Sequence, residues 1–488
     1  VPDALIARLR GVLPADAVIA DPAETRAYEC DALSAYRCAP LAVVLPRSTA
    51  EVSAVLRLCS QMGVKVVPRG AGTSLAGGSF PTADCVVLGV ARMNGVIETD
   101  YDNRFIRVQT GRTNLAVTGA VEADGWFYAP DPSSQLACAI AGNIAMNSGG
   151  AHCLKYGVTT NNLLGVTIVL MNGEVVEIGG PWADAPGLDL LGVICGSEGQ
   201  LGVVTEAYLR ILPKPEGARP VLMGFSSNEV AGECVADIIR AGLLPVAIEF
   251  MDRPCIQAVD DYFGVDEYPR EAAAVLLIEL DGHPLEVKES VEIASRLCLE
   301  AGAGAVREAW SEEARARLWK GRKSAISALG RQFPSYYLQD GVVPRTALPG
   351  VLAAIDRLSV EHGLAVANVF HAGDGNLHPL ILYRASEEGV NERVKALGGA
   401  ILRLCIDAGG SISGEHGVGS DKRCYMDWMF NPEDQATMQL VRRAFDPQGL
   451  ANPGKLFPTP RSCGESHRRW QELKSDHPNS SLATLEVV

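Results

Sequence analysis

After Pro213 the apolar runs and helical stretches follow an order that few folds satisfy. VLMGF (221–225), VAIEF (246–250), AVLLIEL (274–280) and AVRE (305–308) read as strands, and 229–242 and 284–301 carry helical periodicity. The order β-α-β-β-α-β is that of a ferredoxin-like unit, with further helices expected over 311–330 and 347–362. Upstream, LAVVLP (41–46) is a short strand. Ser48 and Glu51 form a capping box for a helix whose apolar face is Val52, Val55, Leu56 and Cys59. Gly63 stops that helix, and VKVVP completes a β-α-β unit that runs straight into PRGAGTSLAGGS, residues 68–79. The expected class is α+β. Domains are expected over 1–213 and 214–410, with a Gly-rich and then helical C-terminal segment over 411–460 and a polar tail over 461–488. At 488 residues the chain is too long for one ordinary core, which agrees with that division.

A net charge of -15 argues against nucleic acid and against direct attraction to an anionic membrane. Thirteen cysteines, an odd number without a CxxC pair, read as reduced thiols and exclude a local iron-sulfur cluster motif. The N-terminal stretch carries Asp3, Arg8 and Arg10 inside its apolar pattern and reads as an amphipathic helix, not a signal peptide. The longest charge-free stretch, 132–154, is too rich in Ser, Asn, Gln and Gly to span a bilayer. A cytoplasmic protein is expected.

Chemistry concentrates in a few segments. Closely spaced glycines in 68–79, with Arg69, Thr73 and Ser74, suit an anion nest. This is not the Rossmann fingerprint, because Leu75 stands where its third glycine belongs. PDPSSQLACAIAGNIAMNSGGAHCLKYG (130–157) is small, amide-rich and suited to a planar ligand; GSEGQLGVVTE (196–206) puts a tight turn before a strand. Either could equally be backbone packing. Gly449 to Lys455 fits GxxxxGK, but Leu456 replaces the Ser/Thr of a P-loop and Pro453 removes a cradle N–H.

HAGDGNLH (371–378) uses two of only eight histidines. With Asp374-Gly375 as a two-residue turn, His371 would face His378 across a hairpin, near enough to share an ion or simply to pack. SGEHGVG (413–419) could add Glu415 as a third ligand and His416 as a general base. Such a set takes Zn, with Mn or Fe as alternatives. On a helix, Arg322 could grip a substrate carboxylate or merely line a solvated face.

Taken together and in this order, PRGAGTSLAGG, the 130–157 stretch, GSEGQLGVVTE, HAGDGNLHPL, GEHGVG and NPGK resemble the FAD-linked oxidases of the vanillyl-alcohol oxidase superfamily. YECDALSAYR, YAPDPSSQ, HCLKYG and VANVFHAGDGNLHPLIL are similar to the branch that includes the flavin-bearing subunits of bacterial glycolate oxidases. The resemblance covers about residues 15 to 460. It implies a PCMH-type FAD-binding domain of two subdomains, with an inserted ferredoxin-like substrate (cap) domain and a C-terminal helical segment.

By motif, Arg69, Gly70, Ala71, Gly72, Thr73, Ser74 and Gly78 would hold the FAD pyrophosphate. Pro130, Asp131, Ser134, Gly142, Asn143, Asn147, Gly149, Gly150, Glu198, Gly199, Val204 and Asn452 would line the flavin. Thr73 stands where some members attach flavin to a histidine, so non-covalent FAD is expected. The resemblance also implies a divalent metal on His371, His378 and Glu415, with His416 as base and Arg322 on the substrate carboxylate. The expected reaction is oxidation of a small 2-hydroxy acid, glycolate or D-lactate, to the 2-oxo acid by hydride transfer to flavin N5. Relatives specific for 2-hydroxyglutarate resemble a K-Y-D pattern where this chain has Leu338-Gln339-Asp340, and an asparagine where it has Leu380, which favours a small substrate. Expected partners are a second flavoprotein-like subunit and an iron-sulfur subunit, through which the chain would sit peripherally at the inner membrane. A stand-alone D-lactate dehydrogenase using a cytochrome or quinone is the nearest rival. A metallohydrolase using only the His-His-Glu site is a rival of another class.

Overall fold

The computed structural model describes residues 2–34, 36–182, 187–264 and 268–458. The polar tail expected over 461–488 lies outside the described residues. Three large sheets organise the described residues, beside a two-stranded pair of Trp126–Phe127 with Leu212–Pro213. In the first, Ala42–Val44, Cys85–Gly89 and Lys65–Arg69 run parallel, and Val18–Ile19 adds antiparallel to the edge. The helix Thr49–Met62 covers it. Ser48 Oγ accepts from Glu51 N at 3.2 Å, Gly63 ends the helix at φ +65°, and Val52, Val55, Leu56 and Cys59 are wholly buried. The predicted periodicity and stop signal are therefore the ones used.

The second sheet is antiparallel, in the order Val96–Asp100, Phe105–Gln109, Val203–Arg210, Leu163–Val169 and Val175–Gly179. The C-terminal segment returns to the first sheet, where Val66 N donates to Leu450 O at 2.9 Å and Asn452 N donates to Val66 O at 2.8 Å.

The third sheet contains the four strands of the expected β-α-β-β-α-β unit, with a helix that was not expected, Arg253–Phe263, between the second and third. Its strands lie in the order Ala305–Glu308, Gly217–Phe225, Ala274–Gly282, Ala247–Asp252, all antiparallel. The sheet then continues into Ala365–His371, which pairs with Ala247–Asp252, so the histidine hairpin extends the ferredoxin-like sheet. Alternation sorts the side chains. Ile248, Phe250, Leu276, Ile278 and Phe370 face a core that includes residues of the helices Asn228–Arg240, Pro284–Glu300 and Leu348–His362. Ala247, Met251, Leu277, Ala367 and Val369 face the opposite core, built with the helices Arg253–Phe263 and Glu312–Gln332.

Cys30, Cys38 and the other cysteines through Cys405 are free thiols, mostly buried. Cys424 is disulfide-bonded and departs from the expectation of reduced cysteines.

Candidate active site

A cavity of about 360 Å³ joins the Gly-rich loop of the first half to the two histidine-bearing loops of the second. Its wall includes Arg69, Gly70, Ala71, Gly72, Thr73, Ser74 and Gly78, then Ser134, Gly142, Asn143, Glu198, Gly199, Val204 and Asn452, and also His378, Glu415 and His416. Two apolar side chains not anticipated as a pair, Ile326 and Leu338, close the wall beside them. Leu380, by contrast, is packed fully into the core. The volume suits an organic ligand.

The glycines shape the cradle. A Cβ on Gly70 would press within 3.3 Å of both Ala139 Cβ and Gly142 N, so this glycine lets the loop pack closely on the 139–142 backbone. At Gly72, φ +74° turns the loop over the Arg69 guanidinium, which donates to Cys30 O at 2.8 Å. Arg69 thus braces the loop from below as well as lining the cavity. Asn452 Nδ2 donates to Gly78 O (2.9 Å) and Glu198 O (2.6 Å), tying the C-terminal segment to both motifs. Glu198 is buried, and its carboxylate accepts from Val418 N (2.7 Å) and Gly419 N (2.8 Å), which fixes the end of the GEHGVG loop.

Pro130, Asp131, Asn147, Gly149 and Gly150 stand outside the cavity wall. Pro130 O accepts from Asn114 Nδ2 at 3.0 Å, and Asn147 ends the helix Ile140–Met146 at φ +51°. A Cβ on Gly150 would fall 2.5 Å from the Asp131 backbone, so that glycine serves a close chain approach. A Cβ on Gly149 would lie 3.1 Å from Glu415 Oε2, so this stretch touches the candidate metal ligands directly.

The hairpin register differs from the expected one. His371 pairs with Asn376, and Asn368 with Pro379, so Ala372 to Gly375 form a four-residue turn with Gly375 at φ +78°. His371 and His378 are therefore diagonal rather than directly opposed. The slip is by two residues, which keeps both on one face. Their ring centroids still lie 5.2 Å apart.

Both imidazoles converge on Glu415: His371 Nε2 and His378 Nε2 each lie 3.4 Å from Glu415 Oε1. Donors bound tetrahedrally at roughly 2.0–2.2 Å from one ion sit roughly 3.4 Å apart, so the spacing fits a shared divalent cation. His371 and His378 are buried, and His378 Nε2 has no hydrogen-bond partner. Burial opposes charge on Glu415, yet His371, His378 and His416 hold its pKa down at about 2. Burial likewise opposes a proton on His371, but Glu249 and Glu415 raise its pKa well above the ordinary value. Positive charge between these two carboxylates is thus favoured, and a cation can replace the proton.

His416 stacks on His378, with centroids 4.9 Å apart and planes 10° from parallel. Burial is the main reason its pKa falls to about 4, so near neutrality it is a free base. Its loop is held by Asp340, a fully buried carboxylate that the sequence comparison names beside Leu338 and Gln339 without giving it a role. Asp340 accepts from Ser413 Oγ (2.7 Å), Glu415 N (3.2 Å), His416 N (2.9 Å) and Lys422 Nζ (3.1 Å). Burial raises the cost of its charge, but Lys422 and His416 keep its pKa well below the carboxylate range.

Arg322 is buried, not on a solvated face, and it is absent from the cavity wall. Its Nη2 lies 2.5 Å from Glu249 Oε2, while its Nε has no partner.

With this geometry in place, the comparisons are decisive. Residues 40–179 match the FAD binding domain family, and residues 214–456 match the family of FAD linked oxidases, C-terminal domain. The chain is 49% identical over 457 residues to the glycolate oxidase subunit GlcD of Escherichia coli K12, covering 94% of this chain and 91% of that one. This chain belongs to the FAD-linked oxidases. The same subunit of Bacillus subtilis is 40% identical, over 88% of this oxidase and 92% of its relative. A D-lactate dehydrogenase of Archaeoglobus fulgidus is 33% identical, over 85% and 90%.

Among solved structures, p-cresol methylhydroxylase with substrate bound superposes with a TM-score of 0.77 at 16% identity, covering 93% and 96% of the two chains. The 4-ethylphenol oxidase of Gulosibacter chungangensis gives a TM-score of 0.77 at 19% identity, covering 93% and 97%. They show that the fold is PCMH-type. The oxidase is an FAD-dependent oxidoreductase, and its cavity of glycine, small and amide residues fits that cofactor.

Proposed function

We propose that this oxidase is the catalytic subunit of a glycolate oxidase-type complex, converting glycolate, and also D-lactate, to the 2-oxo acid. The observation that supports this is one cavity lined both by the Gly-rich loop Arg69 to Ser74 and by His378, Glu415 and His416. Residues of the Gly-rich loop would hold FAD, which would supply hydride-accepting redox chemistry, and His371, His378 and Glu415 would hold a divalent ion, which would supply Lewis acidity.

The chain's own residues do the rest. His416, unprotonated at neutral pH, takes the hydroxyl proton. Arg322 lies behind the cavity wall, one helical turn from the wall residue Ile326, and keeps a buried, unpartnered Nε that would suit a carboxylate oxygen. Ile326 and Leu338 present apolar surface where a longer acid would need a polar partner, which favours hydrogen or methyl on the hydroxyl-bearing carbon. Gly70 to Ser74 hold the pyrophosphate, and Thr73, lacking a nucleophilic imidazole, leaves the flavin non-covalent.

Among the described residues no helix is long and apolar enough to cross a membrane, and no cysteine cluster is set for iron and sulfur. Similarity to glycolate oxidase subunits supports partners that carry the electrons onward, which we assign as a second flavoprotein-like subunit and an iron-sulfur subunit. Anaerobic addition of glycolate or D-lactate to the FAD-loaded protein should bleach the flavin absorbance. A flavin that stays oxidised with both acids refutes the substrate class.

A further inference from the structure

The antiparallel register sets Glu249, on the strand Ala247–Asp252, directly opposite His371. Glu249 is 1% exposed and lies within VAIEF, an otherwise apolar run. Its two carboxylate oxygens do different things. Oε1 lies 2.8 Å from His371 Nδ1, and Oε2 lies 2.5 Å from Arg322 Nη2. One side chain therefore touches a candidate metal ligand and the candidate carboxylate clamp together.

We propose that Glu249 is the positioning residue that couples the metal site to substrate binding. It does so by fixing the orientation of His371 with one oxygen and the direction of the Arg322 fork with the other. This rests on the roles given above to His371 and Arg322.

The chemistry of each contact is specific. A neutral imidazole has one N–H, and accepting it at Nδ1 leaves the Nε2 lone pair facing Glu415. Carboxylates in this position behind a ligating histidine fix its tautomer and raise its basicity. At the arginine, Glu249 Oε2 pairs with Nη2 by charge but without hydrogen-bond alignment, and Nε, although buried, has no partner. A buried donor left free is costly unless something arrives to accept from it. A purely structural ion pair would gain by satisfying that donor, and here it does not.

The test compares E249Q and E249A in the FAD-loaded protein. It measures bound metal by elemental analysis, KM and kcat for the better of glycolate and D-lactate, and the melting temperature. Glutamine can still accept from His371 Nδ1–H but presents an amide donor, or an uncharged oxygen, to Arg322. E249Q should therefore retain its metal within about threefold, while KM rises at least tenfold and kcat changes less. E249A should lose metal affinity by about 10- to 100-fold, the range typical of second-shell changes. In the E249Q/R322A double variant, KM should be no higher than in R322A alone, because the two changes act through one contact.

A lowered melting temperature with metal content and KM unchanged in both variants would overturn the proposal. So would full additivity of E249Q with R322A, or a wild-type protein that binds no divalent ion. If E249A fails to fold, the isosteric E249Q and its double variant decide the matter. A wild-type flavin that neither acid reduces defeats the parent reading instead, which keeps the two failures apart.

Discussion

Two buried Glu–His–Arg clusters lie on one face of the same sheet, and only the first pairs with a side chain of the cavity wall, Glu415. In the first, Glu249 joins His371 and Arg322. In the second, Glu279 lies 2.6 Å from Arg315 Nη2 and 3.9 Å from His152 Nε2, and Trp319 Nε1 also donates to it. The strands are neighbours, with Ala247 paired to Glu279, and both arginines project from the helix Glu312–Gln332. Each imidazole has both nitrogens facing carboxylates: His371 faces Glu249 and Glu415, and His152 faces Asp131, with Nδ1 2.7 Å from Asp131 Oδ2, and Glu279. The difference lies in where those carboxylates sit. Glu415 lines the cavity, whereas Asp131 and Glu279 stand outside its wall. The same three residue types can thus hold a reactive centre or a latch. A carboxylate partner on the cavity wall separates the two.

The second cluster joins the halves of the chain, because His152 and Asp131 belong to the flavin-side stretch and Glu279 to the cap sheet. Lys155 and Tyr156 reinforce it by bonding the Asp281 carboxylate.

The sharpest way to break the comparison is to remove a metal ligand. H378A should lose bound divalent ion and slow flavin reduction by about 1,000-fold, while FAD content stays unchanged. Elemental analysis with anaerobic stopped-flow checks both. Full-rate reduction without bound metal would place the first cluster in the structural class with the second. Next, H416N removes the proposed base but no ligand. Reduction should slow by about 100- to 1,000-fold with the metal retained. A normal rate would assign the proton to another group.

A third change acts on the latch alone. E279A leaves His152 and Arg315 facing a buried gap and should cost about 3 kcal/mol of stability by denaturant unfolding. Metal content should not change, and the surviving folded fraction should reduce its flavin at a near-normal rate. Loss of metal in E279A would mean that the two clusters are not separable.

These clusters also show what the sequence could reveal. His371, His378, Glu415 and His416 were legible because they crowd two Gly-rich loops, where chemistry-bearing residues stand out from their neighbours. The turn was misread: Asp374-Gly375 suggested a two-residue loop, and the chain instead turns over Ala372 to Gly375. The face survived because the shift was even. Glu249 and Glu279 left only a faint trace, one carboxylate each inside the apolar runs VAIEF and AVLLIEL. Their partners lie far away in the chain, and only strand register and helix placement bring them together. The role of Asp340 was hidden in the same way, since its hydrogen bonds run to a loop more than seventy residues later. Small and polar residues at 130–157 suited ligand contact and tight packing equally. Ser134, Gly142 and Asn143 reach the cavity, while Asp131 and Gly150 pack against each other.

The smallest expected effect is the most diagnostic of the latch, because its sign depends on pH. Burial opposes a proton on His152, but Asp131 and Glu279 push its pKa from an ordinary 6.5 up to about 10. A raised folded-state pKa means that the charged histidine stabilises the fold fully below 6.5, and that this contribution fades as pH rises towards 10. Burial also opposes charge on Glu279, but His152 and Arg315 lower its pKa from 4.5 to about 2, so its contribution is present above 4.5 and fades towards 2. The two windows overlap between about 4.5 and 6.5. H152Q should therefore lower stability most near pH 6, by about 2 kcal/mol, and the difference from wild type should shrink steadily towards pH 10. Paired unfolding curves of wild type and H152Q at pH 6, 8 and 9.5 measure this directly. A deficit that stays constant across that range would show that His152 contributes packing against Trp319, whose ring centroid lies 5.1 Å away, and not charge.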